Sequence, residues 1–192
     1  MEYEKRITEY LSEGARARTS VDPSEIEAIS TKIFEAISKG NKLLAFGNGG
    51  SAGDAQHLVG EFVCRFMKDR KPMPAIALTT NTTNLTAIAN DYSYEDVFSR
   101  QAEALGRPGD VAIGITTSGT SPNVIKAVEK CKELGIFTIG LTGRSGGRLK
   151  DIADITLIVK SEKTSVIQEV HIAVIHLISL IVEEKMFGQA QA

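Results

Sequence analysis

Apolar positions along the chain fall into two alternating kinds of run, and the alternation predicts the architecture. Residues 3–16 and 24–39 carry apolar side chains at helical spacing. The second run opens on Asp22-Pro23-Ser24-Glu25, a cap and first-turn signal, and closes at Gly40. Leu43-Leu44-Ala45-Phe46 is a short unbroken apolar run, read as a strand, leading into Gly47-Asn48-Gly49-Gly50-Ser51. From Ser51 to about Met67 the pattern is helical, with small residues (Ala52, Gly53, Ala55, Gly60) that allow close packing. Ala75-Ile76-Ala77-Leu78 is a second strand, followed by a helical turn through Leu85–Ile88 and a helix from about Tyr94 to Leu105. Val111–Ile115 is a third strand, feeding Thr116-Thr117-Ser118-Gly119-Thr120-Ser121, with Pro122 early in a helix that stops at Gly135. Phe137–Leu141 and Ile155–Val159 are the remaining strands, and a long helix from about Ser165 to Met186 closes the pattern.

Strands that are apolar throughout, each followed by a helix, predict an α/β fold: a doubly wound, five-stranded parallel sheet flanked by helices, with two further helices at the N-terminus. Both glycine- and hydroxyl-rich loops then lie at strand C-terminal ends, where open α/β sheets bind their ligands. No linker, repeat or low-complexity tract interrupts the pattern, and 192 residues suit one domain spanning 1–192. A net charge of −2 gives no global field toward nucleic acid or membrane. The N-terminal residues have no apolar signal core, and the apolar stretches read as too short to span a bilayer, so a cytoplasmic protein is expected. Cys64 and Cys131 lie far apart in helical patterns and read as small buried hydrophobes.

The two loops carry the candidate chemistry. Gly47-x-Gly49 after a strand is half of a dinucleotide fingerprint, but the second strand ends in Thr79-Thr80-Asn81, with no carboxylate for a ribose. No lysine follows the glycines, which excludes a P-loop. Residues 116–121 hold five hydroxyls around one glycine. One would suffice to cap a helix, whereas several suit the oxygens of a phosphate monoester, with Ser118 and Ser121 the leading candidates. His57 and Glu61, at i and i+4, share a helix face about 6 Å apart along the axis. They suit zinc, but two donors do not make a site. The last helix offers Gln168, Glu169, His171 and His176. Gln168 and His176 lie about 80° apart around that helix, and spacing alone leaves the choice between His171 and His176 open.

Taken together, Gly47–Ser51, Asp54-Ala55-Gln56-His57 with Glu61, Asn90-Asp91, Thr117-Ser118-Gly119 with Ser121, and Ile167-Gln168-Glu169 with His171 and His176 resemble the phosphoheptose isomerases. The resemblance runs over nearly the whole chain from about residue 24. It implies the sugar isomerase (SIS) fold, a flavodoxin-like sheet, in a cytoplasmic homotetramer with active sites at subunit interfaces. Residues 1–40 would then serve packing and oligomerisation. The implied activity is conversion of sedoheptulose 7-phosphate to D-glycero-D-manno-heptose 7-phosphate, the first step toward heptose for bacterial surface polysaccharide. It implies one zinc per subunit on His57, Glu61, Gln168 and His176, which chooses His176 over His171, with Glu61 as general base and His176 as general acid. Asn48, Gly49, Gly50, Ser51, Arg65, Asn90, Asp91, Thr116, Thr117, Ser118 and Ser121 would hold the sugar phosphate, with Glu61 and Gln168 also touching it. Departures from the commonest family pattern fall at Thr116, Thr120, Ser165 and Val166. Two rival readings are a non-catalytic SIS module, such as a sugar-phosphate sensor or an adaptor of the replication initiator, and an isomerase for another phosphosugar. The adaptors tend to lack the counterparts of Glu61 and His176.

Overall fold

A computed structural model describes residues 2–188; Met1 and 189–192, the extremes of the expected domain, lie outside the described residues. Helices α1 (Glu2–Thr19) and α2 (Pro23–Ser38) precede β1 (Leu43–Gly47) and α3 (Gly50–Val63). Then come β2 (Ala75–Ala77), α4 (Thr82–Asp91), a single 3₁₀ turn (Tyr94–Asp96) and α5 (Ser99–Leu105). The remainder alternates: β3 (Val111–Thr116), α6 (Pro122–Glu133), β4 (Phe137–Gly143), α7 (Leu149–Ile152), β5 (Ile155–Val159) and α8 (Thr164–Phe187). Local chemistry explains the best-defined boundary. The Asp22 side chain accepts from the Ser24 N–H at 2.9 Å, Pro23 opens α2, and Gly40 at φ 84° bonds back to the carbonyl of Ile37.

The five strands are parallel, in the order β2-β1-β3-β4-β5. This is the expected doubly wound sheet, and its order reverses between β1 and β3. Alternation along the strands separates two cores. Leu43, Ala45, Val111, Ile113 and Ile115 face a layer built from α1, α2, α3 and α8. Leu44, Phe46 and Ala112 face α5, α6 and α7. Gly114 is where α6 approaches closest, since a Cβ there would meet Val124, Val128 and Phe46 at 3.0–3.2 Å.

Four sequence expectations need correction. The helix expected to run to Met67 ends at Val63, because the segment beyond it is held by a distant carboxylate on α8. The helix expected from Tyr94 to Leu105 is broken into the 3₁₀ turn and α5. Cys131 is buried, but Cys64 sits at the C-cap of α3 and is exposed. The 24 residues of α8 are long and apolar enough to cross a bilayer, contrary to the sequence estimate. In the fold they pack instead against α1, α2, α3 and the sheet. That packing buries Val166, Ile167, Val170, Val174, Ile175, Ile178 and Val182 inside the chain.

His171 lies in this core, fully buried, with Nε2 donating to the Thr142 carbonyl at 3.1 Å and Nδ1 unpartnered. Burial drives its pKa down to about 4, partly offset by that bond. The unfolded chain therefore binds the proton first as pH falls. Stability present above pH 6.5 is lost progressively toward pH 4, by about 3 kcal/mol in all. Replacing His171→Leu is expected to flatten the fall in urea midpoint between pH 7 and 4.5, at some cost at neutral pH from the orphaned Thr142 carbonyl. An unchanged pH slope would contradict this.

Candidate active site

The order reversal between β1 and β3 puts the two loops side by side at the C-terminal edge of the sheet. In the first, Gly49 takes φ 54°, ψ −120° as the N-cap of α3, a conformation that favours glycine. Asn48 is fixed by a reciprocal pair of 2.8 Å bonds with Asn123 and by a 3.1 Å bond from the Tyr94 hydroxyl. Gly50 faces Gln168 so closely that a Cβ would lie 2.3 Å from its Nε2. Ser51 is buried in the first turn of α3.

In the second loop the hydroxyls bond one another. Thr116 Oγ1 lies 2.8 Å from Ser121 Oγ and 3.3 Å from Ser118 Oγ, while Thr120 donates its N–H and hydroxyl to Ser118 Oγ. Ser121 stands at the N-cap of α6 but makes no side-chain cap bond. Capping therefore does not account for these residues, and their grouping before a helix N-terminus is an arrangement that suits an anion. Gly119, at φ 70°, is pressed against the turn after β4, where a Cβ would come within 2.0 Å of the Gly146 carbonyl oxygen. The Gly119 carbonyl also accepts from the Leu149 N–H at 3.0 Å, locking loop to turn.

Along α3 from the first loop, His57 and Glu61 face α8. His57 Nε2 lies 3.0 Å from Glu61 Oε1 and 3.0 Å from His176 Nε2. Ligand atoms of His57, Glu61 and His176 all fall within 4.8 Å of one another. Two imidazole nitrogens aimed at each other beside a carboxylate form a donor set that fits a divalent metal with an open position. His176, not the core residue His171, is thus the histidine of α8 that meets α3. Gln168 sits two turns back along α8, against Gly50 and Asp54 at the other end of the same helix pair.

The comparisons with known proteins agree with this geometry. The SIS domain family model matches residues 2–143. A relative from Thermoplasma acidophilum named probable phosphoheptose isomerase is 61% identical over 176 residues, covering 92% of this chain and 97% of its own. A phosphoheptose isomerase of Aquifex aeolicus is 50% identical over 184 residues, covering 96% of each. Among solved structures, the phosphoheptose isomerase of Francisella tularensis superposes with a TM-score of 0.92 at 34% identity, covering 96% of this chain and all of that one. That of Neisseria gonorrhoeae gives 0.89 at 39%, covering 95% and 99%. The chain belongs to the SIS-domain family, in the group of the phosphoheptose isomerases.

Within this SIS domain, other expected residues lie apart from the cluster. Arg65 was expected one turn beyond Glu61 on the same helix, but α3 has ended and Arg65 is exposed. Asn90 and Asp91 close α4 at the surface, bonded to each other at 2.8 Å. Thr117 is half-buried in the second loop. Sequence reasoning missed Asn123 and Tyr94, which fix Asn48. It quoted Asp54 without a role. This carboxyl is buried on α3, and burial pushes its pKa up to about 6 against the opposing pulls of Gln168 and His57. An acidic residue one turn before His57, pointing inward, was the available signal.

Gly119→Ala is expected to cost about 1–3 kcal/mol through backbone strain alone, more with the Gly146 overlap, and to weaken sugar-phosphate binding. Thermal melts and calorimetric titration check both effects. An unaltered melting temperature would contradict the packing of the two turns.

Proposed function

We propose that this enzyme interconverts sedoheptulose 7-phosphate and D-glycero-D-manno-heptose 7-phosphate through an enediol. The single observation that carries the reading is the approach of His57, Glu61 and His176 within one chain, on a helix that starts at the first glycine loop. A non-catalytic SIS module needs neither a carboxylate nor an imidazole at these positions, so their meeting favours the enzyme. The high identity to named phosphoheptose isomerases favours a heptose phosphate over a shorter sugar.

In this reading Thr116, Thr117, Ser118 and Ser121, with the α6 N-terminus, bind the phosphate. Asn48, Gly49, Gly50 and Ser51 hold the sugar at the α3 N-terminus, with Arg65, Asn90 and Asp91 as outer contacts. Glu61 removes the carbon-bound proton beside the carbonyl, and His176 delivers a proton to the carbonyl oxygen. His57, Glu61 and His176 would hold one zinc ion, which as a Lewis acid would stabilise developing negative charge on the substrate oxygens; Gln168, the fourth ligand that the resemblance implies, lies two turns back along α8 against Gly50. Glu61 has two oxygens, so it can remain a ligand through one and accept the proton on the other. The enzyme works in the cytoplasm at the start of heptose supply for surface polysaccharide.

We further assign a homotetramer with active sites near subunit contacts, in which α1 and α2 take part. The support is an unpartnered apolar stripe on α1, with Tyr3, Ile7 and Leu11 at four-residue spacing and 59–74% exposed.

Three outcomes are expected. In D₂O the wild type should place solvent deuterium on the sugar, and Glu61→Gln should lose this by about a hundredfold or more while retaining binding; full exchange in the variant overturns the base assignment. Chelation should abolish turnover and lower the melting temperature, and zinc should restore both; indifference of both to chelator refutes the metal assignment. Light scattering should give four times the chain mass at micromolar concentration, and a monomer would refute the assembly.

A further inference from the structure

Between α3 and β2 the chain crosses residues 64–74 with no regular structure until Ala75. What holds the first part of this segment is Glu183, near the end of α8. Its side chain is 1% exposed, and that of its partner Arg70 is 2%. Oε1 accepts from the N–H groups of Met67 at 2.9 Å and Lys68 at 3.0 Å. Oε2 accepts from the N–H of Phe66 at 3.1 Å and from Arg70 Nε at 3.0 Å. Four donors on two oxygens saturate the group. Burial alone would raise its pKa, but the Met67 and Phe66 N–H groups and the Arg70 guanidinium outweigh burial and hold it below the usual range. A buried ion pair is weak evidence of stabilisation by itself. Its significance lies in what it positions.

Two attachments lead from this clamp to the site. The Arg70 guanidinium reaches back to the end of α3, with Nη2 donating to the carbonyl of Glu61 at 2.6 Å and Nη1 to that of Phe62 at 2.7 Å. Phe66, the first residue held by Glu183, lays its ring on the imidazole of His176, with centroids 5.8 Å apart and planes 25° from parallel. The His57 ring lies 5.1 Å from the same imidazole, tilted by 58°. Glu183 follows His176 by seven residues on α8, about two turns, so both project toward α3 and the segment after it. An imidazole turns easily about its last side-chain torsion, because that well is broad. A flat ring packed on its face removes that freedom.

We propose that Glu183 and Arg70 are positioning residues for the isomerase, acting by seating Phe66 on His176 so that its Nε2 is presented to Glu61 and His57. The inference rests on the reading of those three residues as the reacting group. Both clamp side chains are buried and bonded to protein groups. Their effect reaches the chemistry through Phe66 and through the Glu61 carbonyl. Small errors of placement at a reacting centre cost one to two orders of magnitude in rate.

The test uses the full chain with any purification tag removed, so that the three histidines of the sequence give the only imidazole signals. Phe66→Leu, Phe66→Tyr and Glu183→Gln are compared by kcat and KM, and by nitrogen–proton imidazole spectra of the metal-free protein. The His176 signals are assigned by their loss in His176→Asn. Phe66→Leu is expected to lower kcat about tenfold or more with KM nearly unchanged, and to shift the His176 ring resonances while those of buried His171 stay put. Phe66→Tyr should restore both. Glu183→Gln should reproduce the loss and the shift; should it fail to fold, the Phe66 pair decides. Wild-type kcat in Phe66→Leu, or unmoved His176 resonances, would overturn the proposal. An inactive wild type would sink the functional reading instead, and the spectra would still decide whether Phe66 seats His176.

Discussion

His57 Nε2 and His176 Nε2, 119 positions apart in the chain, stand 3.0 Å apart with Glu61 3.0 Å from the former. Every other feature of the site is arranged around that approach. It requires α3 and α8 to lie side by side on one face of the sheet, at the crossing where His176 reaches the middle of α3. The shared core supplies that constraint. Leu58 and Phe62 of α3, and Ile175 and Ile178 of α8, are fully buried in the same cluster, on either side of the three polar residues. Apolar packing thus fixes the helix pair, and the polar group is carried on the edge of that contact.

The two loops depend on a different constraint, the reversal of strand order between β1 and β3. It sets Gly49, the N-cap of α3, and Gly119, two residues before the N-cap of α6, both at positive φ, at neighbouring strand ends. The N-terminus of α3 therefore serves two purposes. Its first turn meets Gln168 through the bare backbone of Gly50, and its middle carries His57 and Glu61. Two helices starting from adjacent strands carry the His57–Glu61 pair and follow the hydroxyl cluster. On the far side of the sheet, Phe46, Val124 and Val128 pack around Gly114 of β3.

Much of this was legible in the sequence, for identifiable reasons. Strands buried on both faces leave unbroken apolar runs, and the cap at Asp22 and the glycine at 40 mark α2 by local chemistry alone. The spacing of His57 and Glu61 needed only helix geometry. The choice of His176 did not follow from spacing, because it depends on how α8 is rotated against α3. The early end of α3 was illegible for a similar reason: the residues that stop it, Phe66 to Arg70, answer to Glu183 more than a hundred positions later. The Asn123 and Tyr94 bonds to Asn48 are likewise long-range, and a window along the chain contains no sign of them. The apolar run of α8 was underestimated. It reads as too short for a bilayer span, yet the helix is long and apolar enough for one, and the helices packed around it supply its cover in the fold.

The central claim is that three side chains from α3 and α8 form one metal-binding, proton-moving centre. X-ray absorption at the zinc edge, on protein loaded with one equivalent of zinc, tests it most directly. The account predicts a first shell of nitrogen and oxygen only, with outer scattering from two imidazoles. A single imidazole, none, or a sulfur ligand such as exposed Cys64 would contradict it.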